Sequence, residues 1–144
     1  MDKIIAAENI NIDRFGSVFI GKDTRPTSEH LSELAREGAL LIGGNVLDFG
    51  LQTTPQLHHI VRMFNIQKSE WASEEGYYNM LAEAYQKILY GQDPKVEDRG
   101  KVICDAANGV GGAKMVKMAE KLSKEIKCEV RNAGDGTLNH MCGA

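Results

Sequence analysis

The sequence predicts an α/β protein built from parallel βαβ units, and three observations carry that expectation. Val18-Phe19-Ile20 and Val46 to Phe49 are short apolar runs rich in β-branched and aromatic residues, each closed by a glycine, Gly21 or Gly50. A stretch with helical spacing of apolar residues separates them, long enough for the crossover that a parallel pair requires. The alternation then restarts at Val102-Ile103-Cys104, followed by a helical stretch and a further run from Cys128 to Arg131.

Taken in order, Met1 to Arg14 reads as a short helix on the broken periodicity of Ile4, Ile5 and Ile10. The first strand ends in the polar turn Lys22-Asp23-Thr24-Arg25 before Pro26, and Thr27 or Ser28 is the expected helix cap. Leu31, Leu34, Ala35, Gly38, Leu41 and Ile42 form the apolar stripe expected to face the core. Gly43-Gly44 supplies a stop that tolerates left-handed backbone. After the second strand, Thr54 is the expected N-cap with Pro55 at the first helical position, and Leu57, Ile60, Val61 and Phe64 share one face. Asn65 to Ser73 reads as a polar linker carrying the only tryptophan, Trp71. A third helix near Glu74 to Tyr90 carries Tyr78, Leu81, Tyr85 and Ile88 on one stripe. Gly91 to Gly100, with Pro94 and several charged residues, reads as an interdomain linker. Met115, Met118, Ala119 and Leu122 mark the last helix, and Asn132 to Ala144 has no periodicity.

Composition narrows the function classes. A chain of 144 residues with net charge −3 carries enough material for one ordinary domain and does not suggest a nucleic-acid-binding surface. Cys104, Cys128 and Cys142 are odd in number and form no C-x-x-C pair, which argues against a disulfide framework or a structural zinc site and suits a reducing compartment. Ile4 to Ala7 is too short for a secretory or membrane-spanning segment, so the expectation is a soluble cytoplasmic protein that does not engage membrane.

The polar turn holds the leading candidate site. Strand, turn and helix N-terminus place free backbone N–H groups beside two cations, where an anion is readily held. Arg25 offers a planar fork that matches two phosphate oxygens, and Lys22 offers a point charge. The competing reading is an ordinary solvated turn. Asp105 to Gly112 sits at a strand end and opens a helix, but Lys114 stands where a dinucleotide fingerprint has its third glycine. A tight turn with Asn108 in an unusual backbone conformation accounts for it better. Gly134-Asp135-Gly136 has one carboxylate, fewer than magnesium wants without substrate phosphates. His58 and His59 are adjacent and diverge by about 100° on a helix, so they cannot chelate one ion together. His140 and Cys142 lack further ligands nearby.

Gly21-Lys-Asp-Thr-Arg-Pro-Thr-Ser-Glu resembles the G-x-D-T-R-x-S-x-E stretch of the α-D-phosphohexomutases. Asp48-Phe-Gly-Leu-Gln-Thr-Thr-Pro-Gln-Leu-His resembles the phosphoacetylglucosamine mutase branch of that family. Gly76-Tyr-Tyr, Asp105-Ala-Ala-Asn-Gly-Val-Gly and Gly136-Thr-Leu-Asn-His-Met-Cys-Gly-Ala follow in the family's order. The resemblance implies three-layer βαβ units in two incomplete domains. Residues 1–65 would be the later part of domain 1, 66–100 a linker and connecting helix, and 101–144 the first part of domain 2. It implies a fragment of an enzyme that interconverts N-acetylglucosamine 6-phosphate and 1-phosphate on the way to UDP-N-acetylglucosamine, with a phosphoserine donor, a bisphosphate intermediate and Mg²⁺. The family's T-A-S-H-N-P catalytic loop would lie ahead of this stretch and its D-G-D-x-D-R metal loop beyond Ala144. No catalytic residue and no metal ligand is therefore expected here. Arg25, and secondarily Lys22, would bind phosphate or touch the phosphoserine loop, with Asp23 orienting the turn. A phosphosugar is the implied ligand, and exposed apolar faces and strand edges are expected. The alternative is a non-catalytic, truncated product that binds phosphate or a partner.

Overall fold

The computed structural model describes residues 1–13, 15–90 and 100–142. The elements run α1 (Asp2–Ala7), β1 (Ser17–Lys22), α2 (Ser28–Leu41), β2 (Asn45–Leu51), α3 (Thr54–Asn65), a 3₁₀ turn (Ser69–Trp71), α4 (Glu74–Leu89), β3 (Lys101–Asp105), α5 (Gly111–Lys121) and β4 (Lys127–Arg131). The mixed α/β class expected from the alternating runs is the class observed. The reading of Gly91 to Gly100 as a linker falls, apart from Gly100, outside the described residues.

The strands form two separate parallel pairs, β1 with β2 and β3 with β4. In the first pair Ser17 lies opposite Asn45 and Ile20 opposite Asp48, after which the register shifts and Lys22 faces Leu51. The extra residue is absorbed where Gly50 adopts φ +63°, a backbone region that costs glycine least, and the Asp48 Oδ1 accepts the Gly50 N–H at 2.8 Å. The second pair is regular, from Lys101 opposite Lys127 to Asp105 opposite Arg131.

The core lies where α3 and α4 pack beside β1. Ile60 is fully buried, and Met63, Tyr78, Ala82 and Ile20 on the same elements are buried as well. Burying a side chain such as Ile60 is worth roughly 1.5–3 kcal/mol. Phe19 stacks on Phe49 across the strand pair at 5.5 Å and meets the edge of Phe64 at 5.0 Å, which ties α3 to the sheet. In the second half Gly112 closes α5 onto the chain after β4, since a Cβ there would stand 2.5 Å from the Ala133 carbonyl oxygen.

Several expectations need correction. α1 ends at Ala7 rather than running toward residue 14. The cap of α3 is Thr53, not Thr54. Thr53 and Gln56 form a reciprocal capping box, with the Thr53 N–H donating to Gln56 Oε1 at 3.0 Å, so Thr54 is the first helical residue. The apolar stripe of α2 is not its buried face. Leu31, Leu34, Leu41 and Ile42 are exposed, while Ala39 is buried and Ser32 and Arg36 are half-buried. A sheet of two strands covers only part of a helix that carries apolar residues over a wider arc.

Candidate functional site

The turn at residues 23–27 leaves the carboxyl end of β1 and enters α2. Asp23 organises it. Its Oδ1 accepts the Arg25 backbone N–H at 3.0 Å and also the Ser28 hydroxyl. The Ser28 hydroxyl bond, then the Arg25 N–H, holds the Asp23 carboxyl below its ordinary pKa. Thr27 occupies the N-cap position without a side-chain capping bond, so neither expected cap closes the helix in the usual way; Ser28 instead serves the turn.

The two expected cations are held differently. Lys22 is the more committed: its Nζ donates to Glu29 Oε1 at 2.7 Å, and its side chain is only 17% exposed. That hydrogen bond raises the ammonium pKa. Arg25 is 76% exposed and is tethered only through Nε, 3.3 Å from Asp23 Oδ2. The Nη pair makes no hydrogen bond among the described residues. Asp23 therefore fixes the root of the guanidinium while its two-pronged end faces solvent, the arrangement needed to grip two oxygens of one phosphoryl group. Lys22, the last residue of β1, and Arg25, in the turn that follows, thus lie close in sequence but do not converge on a shared partner.

At the carboxyl end of β3, the loop at residues 106–110 carries two left-handed residues, Ala107 at φ +50° and Asn108 at φ +56°. Asn108 had a readable signal, since Asn tolerates this backbone region; Ala107 had none. Asn108 Oδ1 accepts the N–H groups of Gly134 at 3.2 Å and Gly136 at 3.1 Å, and its Nδ2 donates to the Thr137 carbonyl at 3.3 Å. The aperiodic segment after β4 is thereby stapled over the loop.

Sequence reasoning missed Glu74. It accepts from Tyr78 Oη at 2.8 Å and Lys117 Nζ at 2.9 Å on Oε1, and from Lys114 Nζ at 2.5 Å and Gln52 Nε2 at 3.3 Å on Oε2. Burial pushes this carboxyl up, but the hydrogen bonds from Lys114, Lys117 and Tyr78 outweigh it and bring the pKa down to about 2. Tyr78, 2% exposed, also accepts from Gln56 Nε2 at 3.1 Å, and burial together with Glu74 raises its phenol well above the usual range. The three lysines 114, 117 and 121 share one face of α5, a spacing visible in the sequence; their partners on α4 were not.

His58 is exposed, whereas His59 is buried and donates from Nε2 to the Trp71 carbonyl at 2.9 Å. Among the described residues, no three His, Cys, Asp or Glu side chains come together to hold a metal ion. No helix among the described residues is long and apolar enough to cross a membrane.

Residues 4–69 match the family model for the phosphoglucomutase/phosphomannomutase alpha/beta/alpha domain I. The chain is 40% identical over 142 residues to the phosphoacetylglucosamine mutase of Sus scrofa, covering 96% of this chain and 26% of that protein. It is 37% identical to the Homo sapiens phosphoacetylglucosamine mutase over 139 residues, 95% of this chain and again 26% of the relative. It thus spans about a quarter of the length of the curated relatives it matches. A crystal structure of Aspergillus fumigatus N-acetylphosphoglucosamine mutase in complex with GlcNAc-6P and magnesium superposes with a TM-score of 0.77 at 27% identity, covering 98% of this chain and 29% of that one. An N-acetylglucosamine-phosphate mutase of the α-D-phosphohexomutase superfamily, in its substrate complex, gives 0.69 at 30% identity over 96% and 26%. With these matches running through both strand pairs, the chain is similar along nearly its whole length to about a quarter of the length of the phosphoacetylglucosamine mutases of the α-D-phosphohexomutase superfamily.

Proposed function

We propose that this chain works as the domain 1 to domain 2 portion of a phosphoacetylglucosamine mutase, in which Arg25 contacts a phosphoryl group carried by the enzyme's serine loop or by the sugar. The observation that carries the reading is the exposed Arg25 fork, rooted by Asp23 at the carboxyl end of a parallel strand. Ligands of open α/β sheets bind at that end. Residues 1–65 and 101–144 are assigned to the two domains, joined by 66–100. Lys22 has a lesser part, because Glu29 already holds its charge.

The reaction is the interconversion of N-acetylglucosamine 6-phosphate and 1-phosphate, a step toward UDP-N-acetylglucosamine in the cytoplasm. A complete enzyme of this kind uses magnesium, and among the described residues no cluster of three His, Cys, Asp or Glu side chains offers to hold it. What these residues supply is positioning and positive charge at an oxyanion.

The test is a chimera. The matching quarter of the Sus scrofa relative is replaced by this chain, and conversion of N-acetylglucosamine 6-phosphate is followed in a coupled assay. Turnover within about tenfold of the parent is the expected result. A chimera with the parent's circular dichroism and melting temperature but no turnover would overturn the assignment.

A further inference from the structure

The polar cluster around Glu74 does more than pack two helices. It connects the two turns that leave the carboxyl ends of β1 and β3. On one side, the Gln52 N–H donates to the Lys22 carbonyl at 2.9 Å, and the Gln52 side chain, 9% exposed, donates to Phe49 O at 3.2 Å and to Glu74 at 3.3 Å. Gly21 allows this, because a Cβ there would sit 3.0 Å from Gln52 Cβ. On the other side, Lys114 stands in the first turns of α5, directly after the loop that Asn108 shapes, and only 14% of its side chain is exposed. Its Nζ lies on the same Glu74 oxygen that Gln52 uses.

We propose that Glu74 is a positioning residue: through Gln52 it grips the end of β1 at Lys22, from which the turn bearing Arg25 departs, through Lys114 it grips the start of α5 after the β3 loop, and so it fixes the two turns relative to each other. This goes beyond the phosphate contact at Arg25 and rests, for its catalytic consequence only, on the mutase reading above. The chemistry suits the role. A part-buried carboxylate that accepts four donors has one arrangement that satisfies all of them: displacing α5 removes both lysines that compensate its charge, and displacing Gln52 leaves a buried amide without that acceptor. Lys121 makes the contrast. It reaches Glu75 and Asn79 on the same helix pair but has no bond to Gln52.

The experiment uses the 144-residue chain with ketone-bearing residues at the exposed positions His30 on α2 and Lys124 after α5, spin-labelled for a pulsed-dipolar distance measurement that leaves the cysteines untouched. Glu74→Gln keeps the shape and removes the charge. The expected result is a distance distribution about twofold broader, together with shifted amide resonances at residues 22–25, which have no direct contact with Glu74. Lys121→Met should leave both unchanged. Lys114→Met should broaden the distances while leaving residues 22–25 largely unmoved, and it keeps the inference testable if Glu74→Gln fails to fold. Equal broadening by Lys121→Met, or unshifted resonances at residues 22–25 in folded Glu74→Gln, would overturn the proposal. In the active chimera, Glu74→Gln should lower kcat by about tenfold or more with KM little changed. An inactive chimera beside intact distance results would refute the mutase reading and leave the positioning role standing.

Discussion

Replacing Arg25 by lysine separates charge from shape. The side chain is three-quarters exposed and its one tether is the Nε contact to Asp23 at 3.3 Å. Asp23 retains the Ser28 hydroxyl and the residue-25 backbone N–H whatever side chain stands at position 25. The turn therefore survives the change, and the stability cost is that of one exposed ion pair, about 0–1 kcal/mol. The chemical cost is larger. A lysine ammonium cannot present two parallel N–H donors to one phosphoryl group. If that contact tightens as charge builds in the transition state, its loss raises the barrier by about 2–3 kcal/mol, on the order of a hundredfold in rate. The assay is steady-state turnover of N-acetylglucosamine 6-phosphate by a mutase carrying this segment, with the fold monitored by circular dichroism. Lys22→Ala is the internal comparison and should cost under about tenfold, because Glu29 already binds that ammonium. Wild-type turnover by Arg25→Lys would refute the phosphate contact and reduce Arg25 to a solvated turn residue.

Three other outcomes follow from the structure. Gly112→Ala should destabilise the chain by about 2–4 kcal/mol in urea melts, because its Cβ would meet the Ala133 carbonyl oxygen at 2.5 Å and backbone must move; an unchanged midpoint would contradict the close approach. Glu74 contributes stability through a lowered pKa, so that contribution is complete above its ordinary value near 4.5 and is lost as pH falls from there toward about 2. After allowance for solvent screening it amounts to about 1–2 kcal/mol, and Glu74→Gln should flatten the acid limb of a stability profile. The purified 144-residue chain by itself should not convert N-acetylglucosamine 6-phosphate; chelator-sensitive turnover above a buffer blank would contradict that.

The strands and their order were legible because Val18-Phe19-Ile20 and Val102-Ile103-Cys104 are short, apolar and followed by turn residues. The candidate turn was legible too, since the ordering role of Asp23 follows from its place two residues before Arg25. What sequence periodicity could not supply was partnership across elements. Leu31 and Leu34 announce a buried face that the two-stranded sheet does not reach. Thr53 was overlooked beside the Thr54-Pro55 signal, although Thr53-x-x-Gln56 is a readable capping pair. Glu74 gave no warning, because Gln52, Tyr78, Lys114 and Lys117 are joined only by the tertiary fold.

The distribution of buried side chains also sets an order of assembly. Ile60, Met63, Tyr78 and Ala82 all precede residue 90, whereas Leu122 is the one buried large apolar residue described after residue 100. The Gln56–Tyr78 bond closes a span of 22 residues, and the Lys114–Glu74 bond a span of 40. The shorter loop loses less chain entropy on closing and is rewarded by the larger apolar core, so α3 and α4 form the nucleus. The β3–α5–β4 segment then docks onto a surface already presenting Glu74 and Glu75. During synthesis from the N-terminus the nucleus is available before α5 exists, and α5 is expected to exchange its amide hydrogens before α3 and α4 when the chain opens.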